Sequence, residues 1–235
     1  MFFGNVGNLA VANSLYPQLG FDTAHDFVPV AQVVEVPLVI AVSGRLPARN
    51  LSEFIALARA RPGQLNGGSG GAGGPPHLAL ELFKYRTKTD ILHVPYRGSA
   101  LALQDLVTGR IDVMVDAYNI MRPLVEAGQV RILAMTGSER LPSLAEVPTA
   151  AEAGLQDFVV YGWQGIVAPA TTPAPVLKAL ESALGAVLGE DEMKQALAAQ
   201  GASAKFRDAL EFGAFMDAER TRWSAVVREA GITLE

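Results

Sequence analysis

The chain has 235 residues, half of them hydrophobic and 18% charged, with a formal net charge of -5 and no cysteine. That length suits two small lobes or one large domain, and the apolar fraction supports a real core rather than a disordered chain. The acidic balance, with no Lys/Arg run, argues against nucleic acid, and the lack of thiols excludes disulfides, thiolate catalysis and Cys-based metal sites.

Met1 to Gly4 reads as the end of a strand running into Asn5-Val6-Gly7-Asn8, and Leu9 to Leu15 as a short helix. Val28–Val34 and Pro37–Val42 are β-branched and apolar, the pattern of two buried strands. Asn50, with Glu53 three residues on, sets up a capping box for a helix over Leu51–Arg61, which Pro62-Gly63 ends. A helix follows over Pro76–Tyr85, then a strand Ile91–Val94 and a helix Ala100–Thr108 capped by Ser99. Strand Val113–Ala117, helix Met121–Ala127 and strand Val130–Met135 complete a β-α-β-α-β-α-β run. Such alternation predicts a parallel, doubly wound sheet with helices on both faces. Pro142, Pro148 and Gly154 punctuate a connector, and strand character resumes over Phe158–Tyr161 and Gly165–Val167. The remainder reads as helical: Thr172-Pro173 starts a helix, Glu192–Gln200 forms a second, and Ala209–Ala230 a third.

The stretch Leu65 to His77 concentrates the chemistry. Six of its thirteen residues are glycine, placed where a strand hands over to a helix that opens with Pro75-Pro76. Glycine lets the backbone approach a ligand and aim its N–H groups, and the helix N-terminus adds partial positive charge. The arrangement suits a small anion, most simply a carboxylate; a flexible glycine linker is the plain alternative. In an open α/β sheet, ligands sit beyond the carboxyl ends of the strands, where this loop, Tyr96–Ser99 and Asp116–Asn119 all fall.

Sharper chemistry is weakly supported. Gly67-Gly68-Ser69-Gly70-Gly71 satisfies the hydrolase pattern Gly-x-Ser-x-Gly, but the only acid and histidine in the required order are Asp90 and His93. No Gly-Lys-Ser/Thr follows the glycines, so a nucleotide loop fails. His25, His77 and His93 lack metal-ligand spacing, and no pattern calls for a cofactor. His77 is open to ligand contact or local packing, and His93 reads as a core or cross-strand residue. Asp116 is open to binding a solute ammonium or hydroxyl, or to capping the next helix. Arg97 is open to clamping a carboxylate or standing as a rim charge. Trp163 is open to packing or to forming a ligand wall.

Several stretches, kept in order along essentially the whole chain, carry a resemblance. They are Asn13-Ser14-Leu15-Tyr16-Pro17, Asp26-Phe27-Val28-Pro29-Val30, Pro62-Gly63-Gln64-Leu65-Asn66, His77-Leu78-Ala79 and Val94-Pro95-Tyr96-Arg97-Gly98-Ser99-Ala100. Gly109-Arg110-Ile111-Asp112-Val113-Met114, Val147-Pro148-Thr149-Ala150-Ala151-Glu152-Ala153-Gly154 and the run from Trp163 to Ala168-Pro169 extend the set. The chain resembles the Bug family, the substrate-binding receptors of tripartite tricarboxylate transporters. The resemblance implies a type II periplasmic binding protein, α/β in class, with two doubly wound lobes and a hinge. Lobe 1 is expected at 1–42 plus 163–235 and lobe 2 at 43–162. It further implies a periplasmic, monomeric, non-enzymatic receptor that holds a small organic mono- or dicarboxylate by main-chain N–H groups and hydroxyls and delivers it to membrane permease subunits. Carried over by position, the ligand set is Asn5, Val6, Gly7 and Asn8 from lobe 1, and Ser69, Gly70, Gly73, Gly74, Gly98, Ser99 and Asp116 from lobe 2. His77, Tyr96 and Trp163 join them as neighbours of those loops.

Two departures qualify the resemblance. Gly74 stands where relatives carry Ser or Thr, which removes one hydroxyl donor. The family also opens with a signal peptide and a strand–helix–strand unit bearing a second glycine-rich ligand loop, and nothing before Met1 supplies them. At about 30 residues per βαβ unit, roughly 60 residues of lobe 1 are expected to be missing. That loss leaves apolar surface exposed on lobe 1 and keeps two alternatives open: a hydrolase using Ser69, or a truncated, non-binding remnant.

Overall fold

A computed structural model describes residues 1–16 and 19–232. The chain divides into two compact units, Met1–Val36 with Gly162–Glu235, and Pro37–Tyr161. Among the described residues no helix is long and apolar enough to cross a membrane.

In the first unit, strand β1 (Phe2–Asn5) leads through a wide helical turn, Gly7–Val11, into the short helix α1 (Ala12–Leu15). β1 pairs antiparallel with β7 (Tyr161–Pro169), Phe2 opposite Val167 and Asn5 opposite Gln164. The first half of β2 (Phe27–Ser43) pairs antiparallel with β8 (Ser203–Arg207). Helices α6 (Ala174–Gly189), α7 (Asp191–Ala199) and α8 (Ala209–Glu229) complete the unit. α8 buries Phe212, Met216, Trp223, Val226 and Val227 and the carboxylate Glu219. Both indoles of the chain, Trp163 and Trp223, are 1% exposed, and both donate their Nε1–H to Glu219 Oε2 at 2.9 Å. Met1 and Phe3 stand 74% and 55% exposed at β1.

The second unit is built on one mixed sheet. Its helices are α2 (Leu51–Ala60), α3 (Pro75–Thr87), α4 (Ser99–Thr108) and α5 (Tyr118–Glu126). Its strands are the second half of β2, with β3 (Leu65–Ser69), β4 (Ile91–Pro95), β5 (Val113–Ala117) and β6 (Val130–Met135). β3 runs parallel to β4 on one side and β5 on the other. β2 then pairs antiparallel with both β5 and β6. The parallel sheet expected from the alternation therefore holds for β4, β3 and β5, and the incoming β2 interrupts it by lying between β5 and β6. The core under this sheet includes Val39, Ala41, Leu106, Ile111, Met114, Met121 and Met135.

Six local expectations are corrected. The two strands expected at 28–34 and 37–42 are one strand of 17 residues. Pro37 is tolerated because residues 32–35 pair with β8 and residues 38–43 with β5 and β6, so its missing N–H falls between two ladders. The C-terminal remainder is not all helical: Ser203-Ala-Lys-Phe-Arg207 carries little strand signal, and its pairing with β2 makes it the strand β8. Residues 158–160 are not strand, and β7 begins at Tyr161. Thr172 does not cap α6, whose preceding residue is Pro173 with no side-chain cap. Ser99 does not cap α4 either: it is the first helical residue, after Gly98 at φ 111°. The Asn50 cap is present, with Asn50 Oδ1 accepting from Glu53 N at 2.8 Å, but Glu53 reaches back to Arg49 N instead of closing the box on Asn50.

Candidate carboxylate-binding site

The glycine stretch serves two different purposes. Gly67 and Gly68 lie inside β3, where a Cβ would meet Leu80 of α3 at 2.7 Å and Ile111 at 2.3 Å. They are packing glycines that let α3 and the chain at Ile111 close onto the strand. Only Gly70 to Gly74 form the loop. A Cβ on Gly70 would meet Ser99 Oγ at 2.5 Å, and Gly71 and Gly73 have φ of 152° and 76°, where side chains are disfavoured. The prolines at the start of α3 remove two of the donors that a helix N-terminus offers, so in its first turn the N–H groups belong to Gly74 and His77.

The parallel register brings the carboxyl ends of β3, β4 and β5 to one edge, and the loops after them interlock there. Tyr96 N donates to Ser69 O at 2.9 Å and Gly98 N to Gly70 O at 3.1 Å, fixing the two loops against each other. Ser69, Gly70, Gly73, Gly74, His77, Tyr96, Gly98, Ser99 and Asp116 thus gather at one edge of one unit.

Their side chains are engaged locally. Ser69 is fully buried; its hydroxyl donates to Gly71 O at 3.0 Å and lies 2.7 Å from His93 Nε2. His77, 4% exposed, accepts from Gly73 N at Nδ1 across 3.0 Å and stacks on His93 with ring centroids 3.9 Å apart. Burial, helped by Lys84, pushes His77 down to about 4. Burial, followed by the neighbouring His77 and Lys84, pushes His93 down to about 3, so both rings are neutral near pH 7. Tyr96 Oη donates to Asp105 Oδ2 at 2.8 Å, and burial with that carboxylate raises the phenol to about 12. Ser99 Oγ donates to Asp116 Oδ2 at 2.6 Å, while Asp116 Oδ1 accepts from Ala117 N at 2.8 Å. Burial raises the Asp116 carboxyl against the pull of those two bonds. The capping role open to Asp116 is not taken: α5 has no side-chain cap.

The other unit places Asn5, Val6, Gly7 and Asn8 at the end of β1. Asn5 N donates to Asn8 Oδ1 at 2.7 Å and Gly7 N to Asn5 Oδ1 at 2.9 Å, so the Asn8 amide fixes the backbone of Asn5 and the Asn5 amide that of Gly7. Val6 is buried, and Trp163 packs edge-on against Phe212 and Phe215. Among the described residues no group of His, Asp or Glu is placed to hold a metal ion.

His93 is the residue whose part in this loop the sequence concealed. Its partner Ser69 is 24 positions away and meets it through parallel pairing, which leaves no local signal. The bond has the look of a Ser–His pair, yet Ser69 has no exposed surface. Asp90, the acid that would complete a triad, lies before the opposite end of β4, where Gly63 N donates to its carbonyl. Three residues of strand span about 10 Å, which takes Asp90 out of reach of the imidazole.

A family model described as the tripartite tricarboxylate transporter family receptor matches residues 4–232. The chain is 35% identical over 226 residues to a UPF0065 protein from the tcbD-tcbE intergenic region of a Pseudomonas species, covering 96% of this chain and 67% of that one. It is 34% identical over 227 residues to protein BugT of Bordetella pertussis, covering 97% and 70%. Among solved structures, an R. palustris protein with adipate matches at TM-score 0.89 and 36% identity, over 98% of this chain and 77% of that one. MatC from Rhodopseudomonas palustris with bound malate matches at 0.84 and 32%, over 96% and 78%.

Proposed function

Because the chain belongs to the tripartite tricarboxylate transporter receptor family, we propose that it is a periplasmic receptor for a small organic carboxylate, which it passes to membrane permease subunits. The observation that carries this is the edge where β3, β4 and β5 end, with the partly exposed glycines Gly70, Gly71 and Gly74 there and the N-terminus of α3 behind them. Gly73 N–H is committed to His77, so on this view the carboxylate falls to the main chain at Gly70, Ala72 and Gly74, with Gly98, Ser99 and Asp116 beside it. Asn5 to Asn8 and Trp163 are proposed as further ligand residues on the strength of the family resemblance, and the receptor is proposed to be a monomer. The adipate and malate held by the two structural relatives support an acid of four to six carbons. The work is binding and release, with no bond chemistry; a hydrolase would need Ser69 at the surface and an acid behind His93.

Thermal shift and calorimetry with a panel of mono- and dicarboxylates test this. One acid should raise the melting temperature, with a stabilisation near 2.7 kcal/mol at a hundredfold excess over Kd. A well-folded protein that responds to none of them refutes the receptor, and ester turnover abolished in Ser69→Ala would establish the enzyme instead.

A further inference from the structure

Gly70, Gly71, Gly73 and Gly74 gain the most conformational freedom when released, so a rigid loop needs tethers. One end of the loop is held by Gly98 N on Gly70 O. The interior is held at two points. Gly71 O accepts from Ser69 Oγ, which in turn meets His93 Nε2, and Gly73 N donates to His77 Nδ1. Both interior tethers therefore end on the same stacked pair of imidazoles.

We propose that His77 and His93 are positioning residues, a pair of neutral imidazole pins that set the shape of the Gly70–Gly74 loop and hence its affinity for a carboxylate, without touching the ligand. The proposal rests on the receptor function above for its link to affinity, and on the hydrogen-bond geometry alone for the pinning. The donor and acceptor roles are fixed at His77. Gly73 N–H can only donate, so His77 Nδ1 carries no proton, and the ring's proton sits on Nε2, which lies 3.8 Å from Glu81 Oε1. At Ser69 the one hydroxyl proton goes either to Gly71 O, with His93 Nε2–H donating to Ser69, or to His93 Nε2 in the other tautomer, and both keep Ser69 tied to His93. A proton added to His77 would land on Nδ1 and eject Gly73. Lys84, paired with Glu81 at 2.7 Å on the same helix, works against that proton.

Paired amide variants test the pins while keeping size and polarity similar. Asn places an acceptor where Nδ1 stood and Gln places a donor where Nε2 stood. His77→Asn and His93→Gln should therefore preserve the tethers, and His77→Gln and His93→Asn should lose them. Amide hydrogen exchange at Gly73 should accelerate about tenfold in His77→Gln and stay native in His77→Asn, and the NMR coupling between Gly73 N and His77 Nδ1 should be present in the native protein. The Kd for the acid found in the panel should weaken about tenfold in His77→Gln and His93→Asn, as loss of one net hydrogen bond gives, with rescue in the matched variants. Equal exchange and equal affinity in both members of each pair would overturn the proposal, as would a bound acid in contact with either ring. If no acid binds the native protein, the receptor function fails while Gly73 exchange still decides on the pins.

Discussion

Glu219→Ala is expected to be among the most damaging single substitutions outside the sheet. The Glu219 carboxylate is 8% exposed, and one of its oxygens accepts from both Trp163 and Trp223, which are themselves buried. Alanine leaves two buried indole N–H groups without that acceptor, at roughly 1–3 kcal/mol each. It also breaks the contact to Arg222 at 3.4 Å, a partly exposed pair that adds less than about 1 kcal/mol. A loss of about 2–7 kcal/mol follows, or roughly 4–28 °C at ~2–4 °C per kcal/mol. Glu219→Gln keeps an acceptor and forfeits only the charge assistance, so its cost should be about 1–2 kcal/mol. Both tryptophans of the chain lie in the same unit as Glu219, so intrinsic fluorescence during urea unfolding reads this site directly. In the Glu219→Ala background, Trp223→Phe should cost less than it does in the native protein, because its donor has already lost its partner. If both Glu219 variants unfold within about 0.5 kcal/mol of native, the shared carboxylate is not a structural anchor.

Acidification should weaken the fold in a defined window. His77 and His93 are held near 4 and 3, below the ~6.5 of an unfolded chain. Their stabilising effect is fully present above about pH 6.5 and declines as pH falls toward the native values, by up to ~1.4 kcal/mol per pH unit for each ring and less for the partly exposed His93. Asp112 and Asp116, raised by burial, take up protons in the native state and oppose that decline. Melting curves of the native protein and the His77→Asn/His93→Gln variant between pH 7.5 and 4.5 isolate the histidine part, and parallel curves would refute it. Gly68→Ala drives a Cβ to 2.3 Å from Ile111 Cδ1 and should cost about 1–3 kcal/mol in chemical denaturation. Gly74→Ala meets nothing nearer than 3.8 Å and should be tolerated, so equal losses at both glycines would contradict the division between packing and loop positions. Asn50→Ala removes the acceptor for Glu53 N and should cost about 1 kcal/mol; an unchanged melting temperature would show that the cap carries no weight.

Much was legible because it depends on neighbours in the chain. The alternation of β-branched runs with amphipathic stretches marked β4 through β6 and the helices between them, whereas β3, Leu65-Asn-Gly-Gly-Ser69, showed only as a short run ahead of the glycines; Asn50 announced its own cap. The glycine-to-proline passage from Gly70 to Pro76 marked a loop followed by a helix start. The ordered set of short stretches from Asn13 to Pro169 was enough to indicate the family, since it spreads over most of the chain. Less was legible where a residue's partner lies far away. β8 is a strand because β2 offers it a ladder, and nothing in Ser203–Arg207 announces that.

By itself, then, the sequence determined most of the helices and the strands β4 to β6, where the glycine loop lies, and to which family the chain belongs. The tertiary structure decided what each glycine and each polar side chain is for. Gly67 and Gly68 look identical to Gly70 and Gly71 in the sequence, yet Leu80 and Ile111 pack where side chains on the first two would be, Gly70 makes room for Ser99 Oγ, and Gly71 turns the chain at φ 152°. Ser69, Ser99 and Asp116 read as hydroxyls and a carboxylate aimed at a ligand, but the structure pairs Ser69 with His93 and Ser99 with Asp116. The reason is physical: propensity and capping act over a few residues, whereas burial and hydrogen-bond partnership are set by what parallel pairing brings alongside from tens of residues away.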